Sequence, residues 1–332
     1  MLLSRGQTNF LSLSASLRPK KQSRVMNLTI SFLALLLLVV CQNCEGARGW
    51  SDLEVNVTQR SLKTKAFPKL KCTCKTATYR SCTLQDYIYK HKCFPPKWKT
   101  FFGGAGVPQA ISKISLKLAD ILKGKGTHIE PPLKLIFQAL KMVSPDKIKA
   151  VILGQDPTPQ AGQATGVAFS VDGDAREVPA VLNVLLEVAL EGWKVNVTDG
   201  DLTDWTNEGV LLLNTALTIT QGTVGSHLPI WRKFTKLLIK YISDNAQPSA
   251  WMLWGYEANS ISISRGVSLI NTTRHKILKG QHPSPRSVTT TGFNGFFAGG
   301  YFKCANEFLA AKGRGEIDWD LTSETFLEPC PA

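Results

Sequence analysis

The chain has 332 residues, 43% of them hydrophobic, with 8 cysteines and a formal net charge of +14. That length and apolar content allow a sizeable packed core, which excludes a disordered chain and makes the protein globular. The charge is uneven: residues 1–100 hold 17 Lys and Arg against 4 Asp and Glu, leaving 22 against 21 for residues 101–332, so the whole-chain pI says little about the main domain.

Residues 1–47 read as a signal or targeting segment. No acidic residue occurs from Met1 to Cys44, and the basic cluster RPKKQSR precedes an apolar run, LTISFLALLLLVV, from Leu28 to Val40. Such a run is short for a bilayer span, and with the small residues Gly46 and Ala47 behind it the stretch fits a secretory or membrane-entry signal with Met26 as a candidate start. The acid-free, Arg- and Ser-bearing residues 1–25 also resemble an organelle transit peptide, and an untranslated or artefactual extension is a third reading. Residues 48–93 form a basic, cysteine-bearing arm of unknown role. Its Cys72, Cys74, Cys82 and Cys93 are close enough to form two disulfides, in keeping with a secretory signal. Zinc binding with His91 is an alternative, although C-x-C-x7-C-x10-C matches none of the usual paired spacings; incidental thiols on a poorly ordered arm are another.

From Phe94 to the C-terminus the pattern is that of an α/β domain. Four apolar runs read as buried strands: KAVILG (149–154), GVLLLN (209–214), SAWMLWG (249–255) and HKILKGQHP (275–283). VPAVLNVLLEVAL (178–190), WRKFTKLLIKYI (231–242) and GFFAGGYFKCANEFLAA (295–311) each put apolar residues on one face at helical spacing. The alternation predicts a three-layer sandwich, a short central parallel sheet with helices on both faces. Every strand ends in a polar or glycine-bearing tip: Gln155-Asp156-Pro157, Asn214, Gly255 and His282-Pro283-Ser284. Ligands of open parallel sheets bind beyond the carboxyl ends of the strands, so an acid, an amide and an imidazole are expected to converge there. Singly, each has a blander reading: Asn214 as a cap, Phe169 as core, HPSP as a rigid turn.

The blocks VILGQDP with FSV, GVLLLNTALT, LWG and HPSPRSV, supported by SHLPIWRKFT and IDWDL, resemble in order and spacing the motifs of uracil-DNA glycosylases of the main uracil-excising family. The resemblance spans roughly residues 95–321. It implies hydrolysis of the N-glycosidic bond of uracil flipped out of DNA, leaving an abasic site in base excision repair. It further implies that Asp156 orients or activates water and supports the cationic sugar, while His282 hydrogen-bonds the uracil O2 as negative charge accumulates. Base recognition falls to Asn214, to Phe169 stacking on the ring, and to the backbone around Gln155. Ser284 and Ser287 supply hydroxyls for phosphate contacts. The implied partner is uracil-containing DNA, single- or double-stranded, bound by a monomer without metal or cofactor. Nucleus or mitochondrion follows from the same resemblance, against the secretory reading of the N-terminus.

Several positions depart from the family pattern. Thr158 stands where a tyrosine normally excludes the methyl group of thymine, Pro159 where histidine is usual, and Ala180 where a phosphate-contacting serine is expected after Pro179. Arg286 replaces the leucine wedge; a guanidinium can still stack in the vacated space and contact phosphate. Arg265, Arg274, Lys276, Lys279, Arg286 and Lys303 form a local basic stretch around HPSP. The leading expectation is therefore a monofunctional glycosylase with relaxed discrimination against thymine. A non-catalytic DNA-binding descendant and a secreted protein using the domain as a scaffold are the alternatives.

Overall fold

The computed structural model describes residues 78–288 and 295–321. The segment 1–47 with its apolar run, and Cys72 and Cys74 of the arm, lie outside them. Four strands, β1 (Ala150–Gly154), β2 (Val210–Asn214), β3 (Ala250–Trp254) and β4 (Lys276–Gly280), form one sheet in the order β2-β1-β3-β4, parallel throughout. The first three are buried at every position, as near-continuous Val, Ile and Leu runs must be when both faces of a sheet are covered. Edge strand β4 instead exposes Lys276 and Lys279, charges that discourage another chain from pairing there.

Register brings the strand ends level: Gly154 lies opposite Asn214, and Trp254 opposite Gly280. The chain moves from β1 to one side and then crosses back to place β3 on the other. The crevice of this sheet thus opens between β1 and β3 at their carboxyl ends.

Around the sheet lie α1 (Val107–Ile121), α2 (Pro179–Leu190), α3 (Leu228–Asn245), α4 (Gly255–Ile261), α5 (Pro285–Val288) and α6 (Tyr301–Ala311). α3 begins at Leu228, ahead of the apolar spacing that predicts 231, because Pro229 is pre-set for a first helical turn. α6 begins at Tyr301 rather than at 295. Ala298 and Gly300, with φ of 58° and 60°, sit in the left-handed region and cannot continue a right-handed helix into the preceding segment.

Aromatic rings fill much of the core. Trp98, Phe101, Phe102, Phe137, Trp231 and Phe234 form one cluster, with neighbouring centroids such as Phe102–Phe137 at 5.1 Å and Phe101–Phe234 at 5.4 Å. A second contains Trp205, Trp254, Phe296, Tyr301, Phe302 and Trp319; Phe302 and Trp319 approach to 4.8 Å. The IDWDL block serves this cluster: Ile317 and Trp319 are buried, and the Leu321 N–H donates to the Lys194 carbonyl at 2.8 Å. Residues 78–93, which the sequence groups with the arm, contribute Leu84, Tyr87, Ile88 and Cys93 to the same core. Cys93 is disulfide-bonded, and Cys82 is buried with its Sγ 3.6 Å from the Thr83 carbonyl.

Candidate active site

The site begins where β1 ends. Gly154 has no side chain because there is no room for one: a Cβ would lie 2.6 Å from Asn214 Oδ1 and 3.0 Å from Phe169 Cε2. This glycine lets the strand tips of β1 and β2 and the Phe169 ring close into one wall. Next, the Gln155 carbonyl accepts from the Ala216 N–H at 2.9 Å and the Thr215 hydroxyl at 2.6 Å, fixing the backbone just before the acid. Asp156 is partly buried, and its Oδ2 accepts the Gly225 N–H. Burial raises its carboxyl above the ordinary range; the Gly225 N–H and the Gln155 side chain pull it back, and the charge of Glu257 adds a smaller upward push.

Phe169 adopts φ 61°, a left-handed conformation that costs a non-glycine residue about 1–3 kcal/mol and persists only where its surroundings impose it. The constraints are visible: the Ala168 N–H donates to Leu212 in β2 at 3.1 Å, and the Thr165 hydroxyl donates to the Ser170 carbonyl at 2.9 Å. The ring that results lies 5.4 Å from Trp254 and 6.0 Å from His282. Asn214 is buried, yet its side-chain amide has no hydrogen-bond partner among the described residues. An amide left open in this way can pair with a ligand that offers one donor and one acceptor.

His282 completes the ring of groups. Its Nδ1 accepts the Ser284 N–H at 3.1 Å, which leaves Nε2 to carry the proton of the neutral imidazole. Burial pushes its pKa down to about 4, so the ring is neutral at physiological pH and donates through Nε2. Two residues hold its loop. Asn183 of α2 donates from Nδ2 to the Pro283 carbonyl at 2.7 Å, and Gly255, at φ 89°, lets the loop approach so closely that a Cβ would lie 2.9 Å from His282 Cβ.

The structure thus gathers Gln155, Asp156, Phe169, Asn214 and His282. Ser284 and Ser287 sit at the start of α5 with their hydroxyls 3.3 Å apart, beside an exposed Arg286 that makes no ion pair among the described residues. Thr158 is half-buried between buried Pro157 and Pro159, whose carbonyl accepts the Gly222 N–H. Sequence reasoning missed Gly225, Asn183 and the packing role of Gly255. Only Gly255, at a strand tip, carried a signal that sequence reading could have used.

Fold and site together define a parallel-sheet α/β protein whose strand tips carry a carboxylate, an imidazole with one spare nitrogen, an aromatic ring and an amide that has no hydrogen-bond partner among the described residues. The family model of the uracil DNA glycosylase superfamily matches residues 140–309. The chain is similar to the uracil-DNA glycosylases of Campylobacter concisus (35% identical over 231 residues, 69% of this chain and 95% of that protein) and Azotobacter vinelandii (38% over 215 residues, 63% and 88%). Among solved structures it is similar to mimivirus uracil-DNA glycosylase, with 28% identity and a TM-score of 0.58 over 69% of this chain and 87% of that one. A variant of the mimivirus protein in complex with UGI gives 29% identity and a TM-score of 0.59, covering 69% and 89%. The chain belongs to the uracil DNA glycosylase superfamily.

Proposed function

We propose that the protein is a monofunctional uracil-DNA glycosylase that acts on a uracil nucleotide flipped out of DNA. The observation that carries this reading is that His282 accepts the Ser284 N–H at Nδ1, which leaves Nε2 to donate, with its ring 6.0 Å from Phe169, the ring that packs with the Asn214 amide around Gly154. As the C1′–N1 bond lengthens, its electron pair moves onto the base, and the Nε2–H of His282 donates to the O2 where that charge collects. A buried donor aimed at developing charge needs no reorganisation during reaction. The sugar becomes cationic, and the Asp156 carboxylate, held by Gly225, stabilises it and orients the water whose oxygen bonds to C1′. The water's proton leaves through that carboxylate. One carboxylate suffices because the base departs as a stabilised anion instead of being protonated by a second acid.

Specificity rests on complementarity. The Asn214 amide pairs with the N3–H and O4 of uracil and meets cytosine, whose pattern is reversed, with an unpaired donor. Phe169 stacks on the ring, and Ser284, Ser287 and Arg286 contact the strand around it. Thr158 leaves space beside C5 that a larger ring would fill, so thymine in a mispair is released slowly as well. Steady-state excision from a uracil oligonucleotide by Asp156→Asn and His282→Leu tests the assignment. Asp156→Asn should lose most turnover while keeping DNA affinity. His282→Leu should cost about 2.7–4 kcal/mol of transition-state stabilisation, the scale of a single oxyanion donor. Near-wild-type release by either variant would refute the roles.

A further inference from the structure

Beside the candidate active site lies an open groove of about 700 Å³ that the chemistry above does not use. It continues from both segments that hold Asp156. Pro159 and Gln160 on one wall follow the acid in sequence, while Gln221 and Gly222 on the other precede Gly225, which donates to its carboxylate. The Gly222 N–H donates to the Pro159 carbonyl at 2.9 Å and ties the two walls together. Lys125 and His128 close the far side, and both are exposed. Among the described residues no acidic side chain lines the groove; the neighbouring Glu130 accepts the Gly162 N–H at Oε1 instead.

We propose that this groove is a strand-tracking subsite for single-stranded DNA: it takes the nucleotides on one side of the flipped base, with Lys125 as the phosphate contact. The inference rests on the glycosylase reading and adds a direction to it. A basic edge with amide and hydroxyl side chains, and no opposing charge, suits a phosphodiester backbone read without regard to sequence. The size of the groove accommodates more than a single phosphate. Arg286 and the serines of α5 follow edge strand β4, whereas the groove is lined by segments that follow β1 and β2 on the other side of the sheet, so a strand held at both would cross the crevice.

The test uses the full chain and two series of single-stranded oligonucleotides, one lengthened only on the 5′ side of uracil and one only on the 3′ side. Wild type should show a falling KM with length in one series that Lys125→Glu abolishes, a change of about three- to tenfold in KM, with a salt slope shallower by about 0.7. kcat on the shortest substrate should not change, which also reports an intact fold. Equal penalties in both series, no penalty in either, or loss of kcat on the shortest substrate would overturn the subsite. Failure of wild type to release uracil from any oligonucleotide would instead remove the glycosylase reading on which it rests.

Discussion

Individual residues carry sharply different tasks here because their surroundings set their chemistry. His227 is buried and His282 half-buried, and desolvation holds both pKa values near 4, but their neighbours separate them. His227 is saturated by the Thr218 and Thr220 hydroxyls at 2.8 and 3.0 Å, whereas His282 spends only Nδ1 on the protein. A structural histidine and a candidate donor are thus told apart by a spare nitrogen. The pH dependence follows with a definite sign. With Asp156 acting as an anion and His282 as a neutral donor, as proposed, kcat should fall as pH drops through the raised Asp156 pKa, and His282, neutral above about 4, should add no limb near 6.5. A limb near 6.5 that disappears in His282→Leu would show that the ring starts out protonated. At Thr158 the expected outcome is opposite for two substrates. Thr158→Tyr should suppress thymine release from a mispair and leave uracil release equal or better, because a pocket without a rigid wall discriminates one methyl by only about 1–3 kcal/mol. Wild-type protein that ignores mispaired thymine would show that another side chain closes this space.

At the scale of elements, the strands were legible and the supports of the site were not. Continuous apolar runs ending in Gln155-Asp156, Asn214 and Gly255 located β1, β2 and β3 and their tips to within a residue or so. Hydrophobic runs of that length have few alternatives once helices alternate with them. The supporting contacts joined positions far apart in sequence. Asn183 reads as one polar residue in an apolar helix, and only the folded chain shows it holding the Pro283 carbonyl. Gly225 likewise reads as a turn residue until its N–H is seen on Asp156. Apolar spacing alone extends α6 back to 295, because it carries no sign of the left-handed backbone at Ala298. These supports are open to measurement. Asn183→Ala leaves a buried carbonyl unsatisfied at a cost of about 1–3 kcal/mol and frees the His282 loop, so kcat should fall more than KM rises. Asn183→Asp, which sets a carboxylate against that carbonyl, should be worse than Ala. Gly255→Ala should lower kcat as well, since its Cβ would meet His282. Unchanged kinetics in all three would mean that the loop holds its place without them.

For the whole molecule, charge and boundary matter most. The +14 net charge resides mainly in the first 100 residues, so DNA affinity of residues 101–332 is expected from local basic surfaces, such as Arg286 and Lys279 toward the carboxyl end of β4. Excision should weaken steeply with salt, and Arg286→Ala should impair duplex substrates more than single strands, because a wedge matters only where bases are stacked. Equal loss on both would reduce Arg286 to a phosphate contact. A chain starting at Phe94 would lack Leu84, Tyr87 and Ile88, each of which is buried. At about 1.5–3 kcal/mol for each fully buried large apolar side chain, that truncation should lower the denaturation midpoint markedly or prevent soluble folding. Activity is therefore best judged on the full chain. The most direct measurement incubates it with oligonucleotides that differ only in U, T or C at one position and reads abasic sites as alkali-labile cleavage. The glycosylase reading predicts rapid cleavage at U, slow cleavage at mispaired T and none at C, with the U signal lost in Asp156→Asn. Intact uracil strands under conditions where the folded protein binds them would contradict it and leave a DNA-binding protein without turnover.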